Sequence, residues 1–231
     1  MTYLPRPTEG GGDFTPPPEG TFPAICYRIV DLGTQESSYL GDTKHQHKVL
    51  ISWELKDDEI VMDDGRPMTA HQRYTWSMHE KANLRKQLEM WRGRKFADSD
   101  FGPGGFDVRN LLGVPGLITI VHADGKEGKV FANVASIVKL PKGMSAGELI
   151  NPKVLVWLDK TEFDQQAFDD LSDNLKNTIK KSPEYLQMVS GTIRGTIGGP
   201  VRSGQQRAGL RPAMPADDDE GRWGPKAEPP F

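Results

Sequence analysis

Apolar and polar positions alternate with a period of two in three stretches of the first eighty residues. Residues 23–32 (PAICYRIVDL) read as one strand. Residues 48–55 (KVLISWEL) read as a clearer one, with Val49, Ile51, Trp53 and Leu55 on a single, buried face. The turn DDGRP at 63–67 leads into a third strand at 71–78 (HQRYTWSM). Then the period changes. Leu84, Leu88 and Trp91 recur at i, i+4 and i+7, Ser77 and Glu80 stand ahead of them at capping-box spacing, and Gly93 ends the run. This predicts one amphipathic helix with Trp91 on its core face. GLITIVHA (116–123) and VFANVASIVKL (130–140), joined by the turn DGKEGK, predict a hairpin of two further strands.

The order β-β-β-α-β-β is that of an OB-fold: a mainly β, five-stranded Greek-key barrel with one helix between strands three and four. Around it the expected organisation is a flexible arm at 1–20, rich in Gly and Pro, and the OB-fold domain at 21–142. A strand-and-helix extension at 143–190 and a flexible linker with an acidic tail at 191–231 follow. In the extension, VLVWLD (154–159) offers an edge strand. EFDQQAFDDL, SDNLKNTIKK opened by Ser172, and SPEYLQM with Ser182 and Pro183 as cap and first turn offer short helices.

Composition changes this picture in three ways. Hydrophobic residues make up 36% beside 25 Gly and 18 Pro, so a core is expected together with sizeable unstructured segments. A net charge of −3 excludes a uniformly basic nucleic-acid binder but leaves room for a basic face offset by acids elsewhere. The single Cys26 excludes an intramolecular disulfide or a Cys-based zinc site and fits a reducing cytoplasm. No apolar run has the length of a signal peptide or a membrane span, so no membrane partner is expected.

The strongest charge bias lies on strand three and its helix. Arg73, Lys81, Arg85, Lys86, Arg92, Arg94 and Lys95 stand there against Glu80 and Glu89, with Tyr74, Trp76 and Trp91 among them. Basic groups track phosphates and aromatic faces stack on unpaired bases, whereas a solvated helix face over a tryptophan core is the plainer alternative. Candidate phosphate contacts are Arg73, Arg85, Arg92, Arg94 and Lys95, supported by Lys48. Tyr74 and Trp76 share one face of strand three, Arg73 and Thr75 the other; only one face can point outward, and alternation does not say which. Tyr74, Trp76 or Phe131 would stack bases, and Lys126 and Lys129 flank Phe131 as further phosphate contacts.

Other chemistries find little footing. His45 and His47 lie two apart, but no third ligand stands at a close spacing, so neither a metal nor another cofactor is expected. The nucleophile elbow, the phosphate-cradling loop and the zinc-deaminase signature are absent, which points away from an enzyme. Arg194, Arg202, Arg207 and Arg211 are spaced through Gly-rich sequence like an RGG-type segment or a plain spacer.

The final sixteen residues read ADDDEGRWGPKAEPPF. Asp217, Asp218, Asp219 and Glu220 form an acidic cluster, and the chain ends in Pro229, Pro230 and Phe231. A Phe behind two prolines extends neither helix nor ladder, and it suits a pocket on another protein with the acids steering it to a basic rim. A polar tail without a partner is the bland alternative.

An OB-like barrel, a Gly-rich linker, an acidic cluster and a terminal Pro-Phe together resemble single-stranded DNA-binding proteins of the bacterial type and their phage counterparts. KVLISWEL, HEKANLRKQLEMWRGRKF and ANVASIVKL also look like a family of phage and prophage replication-module proteins, over about residues 20–190. The resemblance implies non-sequence-specific coverage of single-stranded DNA in phage replication or recombination, in the host cytoplasm. It further implies a tail whose Pro230 and Phe231 recruit replication and recombination proteins, and whose acids compete with DNA for the basic groove. Two departures matter. GRWGPKA, with Arg222 and Lys226, separates the acids from the terminal Pro-Phe, and the helical extension has no counterpart in the compact bacterial protein. A tetramer is therefore not carried over, and homo-oligomerisation stays open. The rival from another class is a phage protein-interaction module that docks on a host replication or nuclease complex and binds no DNA.

Overall fold

A computed structural model describes residues 15–39, 42–125 and 130–193. Its strands are β1 (Gly20–Tyr39), β2 (Asp42–Leu55), β3 (Thr69–Thr75), β4 (Pro115–Asp124), β5 (Val130–Val138) and β6 (Val154–Val156). Helix α1 (Asn83–Arg92) and two 3-10 turns, Asp98–Phe101 and Val108–Leu111, lie between β3 and β4; α2 (Gln165–Asp169), α3 (Asp173–Lys180) and α4 (Pro183–Ile193) follow β6. The protein is thus mainly β, one largely antiparallel six-stranded sheet with a few short helices. No described helix is long and apolar enough to cross a membrane.

The sheet runs β3-β2-β1-β4-β5, with β6 parallel to β1. β2 follows one edge of β1, while β4 (at residues 20–25) and then β6 (at 28–30) share the other. Val49, Ile51, Trp53 and Leu55 are buried together, as alternation requires, against Ala24 and Ile29 of β1, Ile118 and Ile120 of β4, and Val134 and Ile137 of β5. β1 is far longer than its sequence pattern because two register shifts, at Cys26/Arg28 and Asp31/Gly33, bend it while pairing continues. Gly33 sits at φ 65°, and a Cβ there would lie 2.4 Å from the Ser182 side chain, so the bend also admits the start of α4.

The end strands β3 and β5 come within 8 Å at their Cα atoms, yet no ladder joins them and the sheet stays open. Helix α1 packs against both. Leu84, Leu88 and Trp91 form its buried stripe, and Trp91 Nε1 donates to the Pro115 carbonyl at 2.9 Å. Gln87 takes the place of a missing strand partner: its amide donates to the Ala135 carbonyl (2.9 Å) and accepts from the Ile137 N–H (3.0 Å). Gly93, at φ 70°, closes the helix as its position suggests. The Ser77–Glu80 capping box does not form. Ser77 Oγ accepts from the His79 N–H in a preceding turn, and the helix begins later, after Ala82.

The extension is built into the fold rather than appended. Val30, Leu32 and Leu50, on the face of β1 and β2 turned away from the first core, form a second core with Val156, Phe168, Leu171, Leu175 and Ile179. Burying each such side chain contributes about 1.5–3 kcal/mol. Ser182 caps α4, accepting from the Tyr185 N–H at 3.2 Å, with Pro183 in the first turn. The segment before β6 is clamped by Glu54, a fully buried carboxylate that accepts from Lys56 Nζ (2.8 Å), the Ile150 N–H (3.0 Å) and the Asn151 N–H (2.6 Å). Burial alone would raise its pKa; Lys56 and these amides overcome that and hold it below the usual glutamate value.

Candidate nucleic-acid interface

Pairing with β2 settles the orientation of strand three. Tyr74 lies opposite Val49 and points into the core, whereas Arg73 lies opposite Leu50, His71 opposite Ser52 and Thr75 opposite Lys48, all on the outer face. Tyr74 is therefore no stacking platform: it is only 6% exposed, its hydroxyl has no partner among the described residues, and burial pushes its pKa up. Trp76 follows the same inward alternation but stands one residue past the ladder, its N–H bonded to the His47 carbonyl at 2.7 Å. With no strand left to cover it, the indole emerges at the rim and is 36% exposed.

The outer face carries a basic strip. Arg28, register partner of Ser52 and so in line with His71, donates from Nε to Ser52 Oγ at 3.2 Å. Lys48 Nζ donates to Gln46 Oε1 (2.6 Å) and Thr75 Oγ1 (2.7 Å). Among the described residues neither Arg28 nor Arg73 forms an ion pair. Partial desolvation, then the charges of Arg28 and Arg73, hold the His71 pKa below its ordinary value. The strip is locally positive.

The basic helix divides. Arg85 donates from Nε to Glu89 (3.0 Å) and from Nη1 to the Met78 carbonyl (3.1 Å), and Arg92 pairs with Asp100 at 2.9 Å and lies 4.2 Å above the Phe96 ring. Both guanidinium groups are mostly buried and already committed to shaping the α1–β4 connection, which removes them as free phosphate contacts. Arg94 is 67% exposed with one longer contact to Asp100 (3.6 Å), and Lys95 is exposed. Phe131 is 55% exposed on β5, opposite Ala123 and on the same face as Val121. Lys126 and Lys129 lie outside the described residues, as do Asp217, Asp218, Asp219, Glu220, Pro230 and Phe231.

Trp76 opens onto a cleft of about 790 Å³ between the α1–β4 connection and the loop after β6. Trp157 stands edge-on to Trp76, with centroids 5.4 Å apart at 73°. The opposite wall is a phenylalanine cluster in which Phe96 lies 5.6 Å from Phe101 and 5.1 Å from Phe106. Arg109 also lines it, held by Asp107 (Nε to Oδ1, 2.8 Å) and paired with Glu162. Behind Trp76, His47 Nε2 shares a 2.6 Å hydrogen bond with Asp31, and Glu184 lies 3.6 Å from Nδ1. The bond to Asp31 outweighs desolvation and, with Glu184, raises the His47 pKa. Glu184 also accepts from the Thr34 N–H (2.8 Å) and hydroxyl (2.6 Å), tying α4 to β1.

Trp157, Phe101, Arg109 and Arg28 escaped the sequence reading. Only Trp157 left a clear signal: in VLVWLD, Leu155 and Trp157 alternate with Val154 and Val156, so the indole faces away from the second core. Among the described residues no three His, Cys, Asp or Glu side chains are grouped to hold a metal ion, and buried Cys26 has its thiol pKa pushed up to about 12. Compared with known proteins, the chain matches no family model and no curated sequence.

Proposed function

We propose that the protein binds single-stranded nucleic acid without sequence preference, as a partly open OB-type barrel serving phage DNA replication or recombination. The strand order, the approach of β3 to β5 and the position of α1 support the barrel reading. One observation carries the functional one: an exposed indole, Trp76, stands just past the end of β3, three residues beyond an outward Arg73 that forms no ion pair among the described residues. Arg28, Lys48, Arg73, Arg94 and Lys95 then neutralise phosphates, and bases stack on Trp76 beside Trp157, with Phe131 a further aromatic face. Arg85 and Arg92 act through positioning of the α1–β4 connection. No catalysis or cofactor enters this reading. In it, the acids at 217–220 compete with the strand, and Pro230 and Phe231 recruit replication or recombination proteins.

The test is intrinsic tryptophan fluorescence during titration with oligo-dT, with duplex DNA as control, at about 50 and 200 mM salt. Single strands should quench the emission and bind more weakly at the higher salt. Trp76→Phe should lose part of the quench and the double variant Trp76→Phe/Trp157→Phe more of it, because Trp53 and Trp91 are buried while Trp157 stands beside Trp76. A wild-type signal unchanged by either DNA would refute the reading and turn attention to the protein-interaction rival.

A further inference from the structure

Arg109 stands on the wall of the aromatic cleft, on the second 3-10 turn. Asp107 of the same turn grips one side of its guanidinium (Nε to both carboxylate oxygens, 2.8 Å each), which fixes its plane. Nη1 goes to Glu162, on the loop after β6. The side chains of Arg109 and Glu162 are 35% and 43% exposed, the range in which an ion pair exchanges partners at little cost.

Four acids line this cleft, and three have local duties. Asp100 accepts from the Ala97 N–H, Asp107 from the Arg109 N–H and Asp159 from the Thr161 N–H. The Glu162 carboxylate has no partner but Arg109 among the described residues. It can leave for water without orphaning any backbone group.

We propose that Arg109 is a phosphate contact of the bound strand and that Glu162 occupies it in the free protein, so the C-terminal extension carries an internal competitor for nucleic acid. The inference rests on the single-strand reading and adds a second contact region, where a base beside Trp76 and Trp157 and a phosphate on Arg109 occupy one cleft.

The experiment is fluorescence anisotropy of labelled oligo-dT across a salt series, with the full chain as wild type, E162Q, R109A, R109K and the R109A/E162Q double variant. E162Q should bind about three times more tightly at low salt, having lost the competitor. R109A should bind roughly tenfold more weakly, with the salt slope reduced by about 0.7, and R109K, which keeps the charge but loses the fork, should fall between. On the R109A background the E162Q gain should vanish, which a mere change in overall charge would not produce. The inference is overturned if that gain survives without Arg109, or if the single variants bind like wild type; in both cases wild-type binding leaves the single-strand reading intact. A wild type that does not bind oligo-dT removes both.

Discussion

The basic residues of strand three and its helix are alike in sequence but separate into two classes in the fold, and the separation is measurable. Replacing Arg28 and Arg73 with Ala removes two outward guanidinium groups that have no ion-pair partner among the described residues. Each lost phosphate contact lowers the salt slope on a single strand by about 0.7, so the double variant should lose about 1.4. Between about 50 and 200 mM salt its affinity should then fall roughly sevenfold less than that of wild type. Its melting temperature should move little, since the Arg28–Ser52 hydrogen bond and the stacking of Arg28 over Tyr27 (5.3 Å) are part-exposed contacts of small worth. Arg92→Ala should do the reverse. Its guanidinium lies 4.2 Å over Phe96 and 5.0 Å over Phe106, a desolvated cation–π arrangement worth about 1–2 kcal/mol. For a body of this size that corresponds to a drop in Tm of about 2–8 °C, with the salt slope unchanged. Anisotropy against salt and thermal melts of the same samples provide both readouts. A reduced slope for R92A together with a wild-type slope for R28A/R73A would refute the division.

Two further outcomes test the fold around the site. Gln87→Ala leaves the Ala135 carbonyl and the Ile137 N–H on the β5 edge without their partner, and urea unfolding should show a loss of about 1–3 kcal/mol. Because the His47 pKa is raised from 6.5 in the folded protein, its contribution is complete below that value and is lost as pH rises through the folded pKa. Subtracting the melts of His47→Gln from those of wild type should therefore show a stabilisation that declines above pH 6.5, and a difference flat with pH would count against the Asp31–His47–Glu184 link.

Much of the fold was legible because alternation and burial agree. Val49, Ile51, Trp53 and Leu55 form a core face, and Leu84, Leu88 and Trp91 form a helix stripe that Gly93 ends. The site was less so, for identifiable reasons. Both faces of strand three carry amphipathic side chains, and only the pairing of Tyr74 with Val49 decides which points inward. Arg28 was hidden by the bulge after Cys26: strict alternation from that buried residue puts Arg28 inward, and the shifted register sends it outward. Charge counting on the helix saw Arg92 but not Asp100, eight residues on, which a folded connection brings to 2.9 Å. The Ser77–Glu80 spacing misled because Ser77 bonds locally in the turn before the helix.

The extension joins the second core, the cleft and the His47 link in one segment. Val30, Leu32 and Leu50 are apolar on a face that an isolated five-stranded barrel would turn to water, so the outer face of β1 and β2 needs α2 and α3 over it, with Val156 of β6 joining the same core from beside β1. The same segment brings Trp157 to Trp76 and Glu162 to Arg109. Its final helix reaches back through Glu184 to Thr34 and to His47, whose ring lies 6.5 Å from that of Trp76. A chain cut at residue 142 would therefore lose one wall of the cleft and the cover of its second core together. On the reading proposed here, the unit that binds a single strand is the barrel with its extension, and the acid that regulates Arg109 comes from the segment that completes the fold.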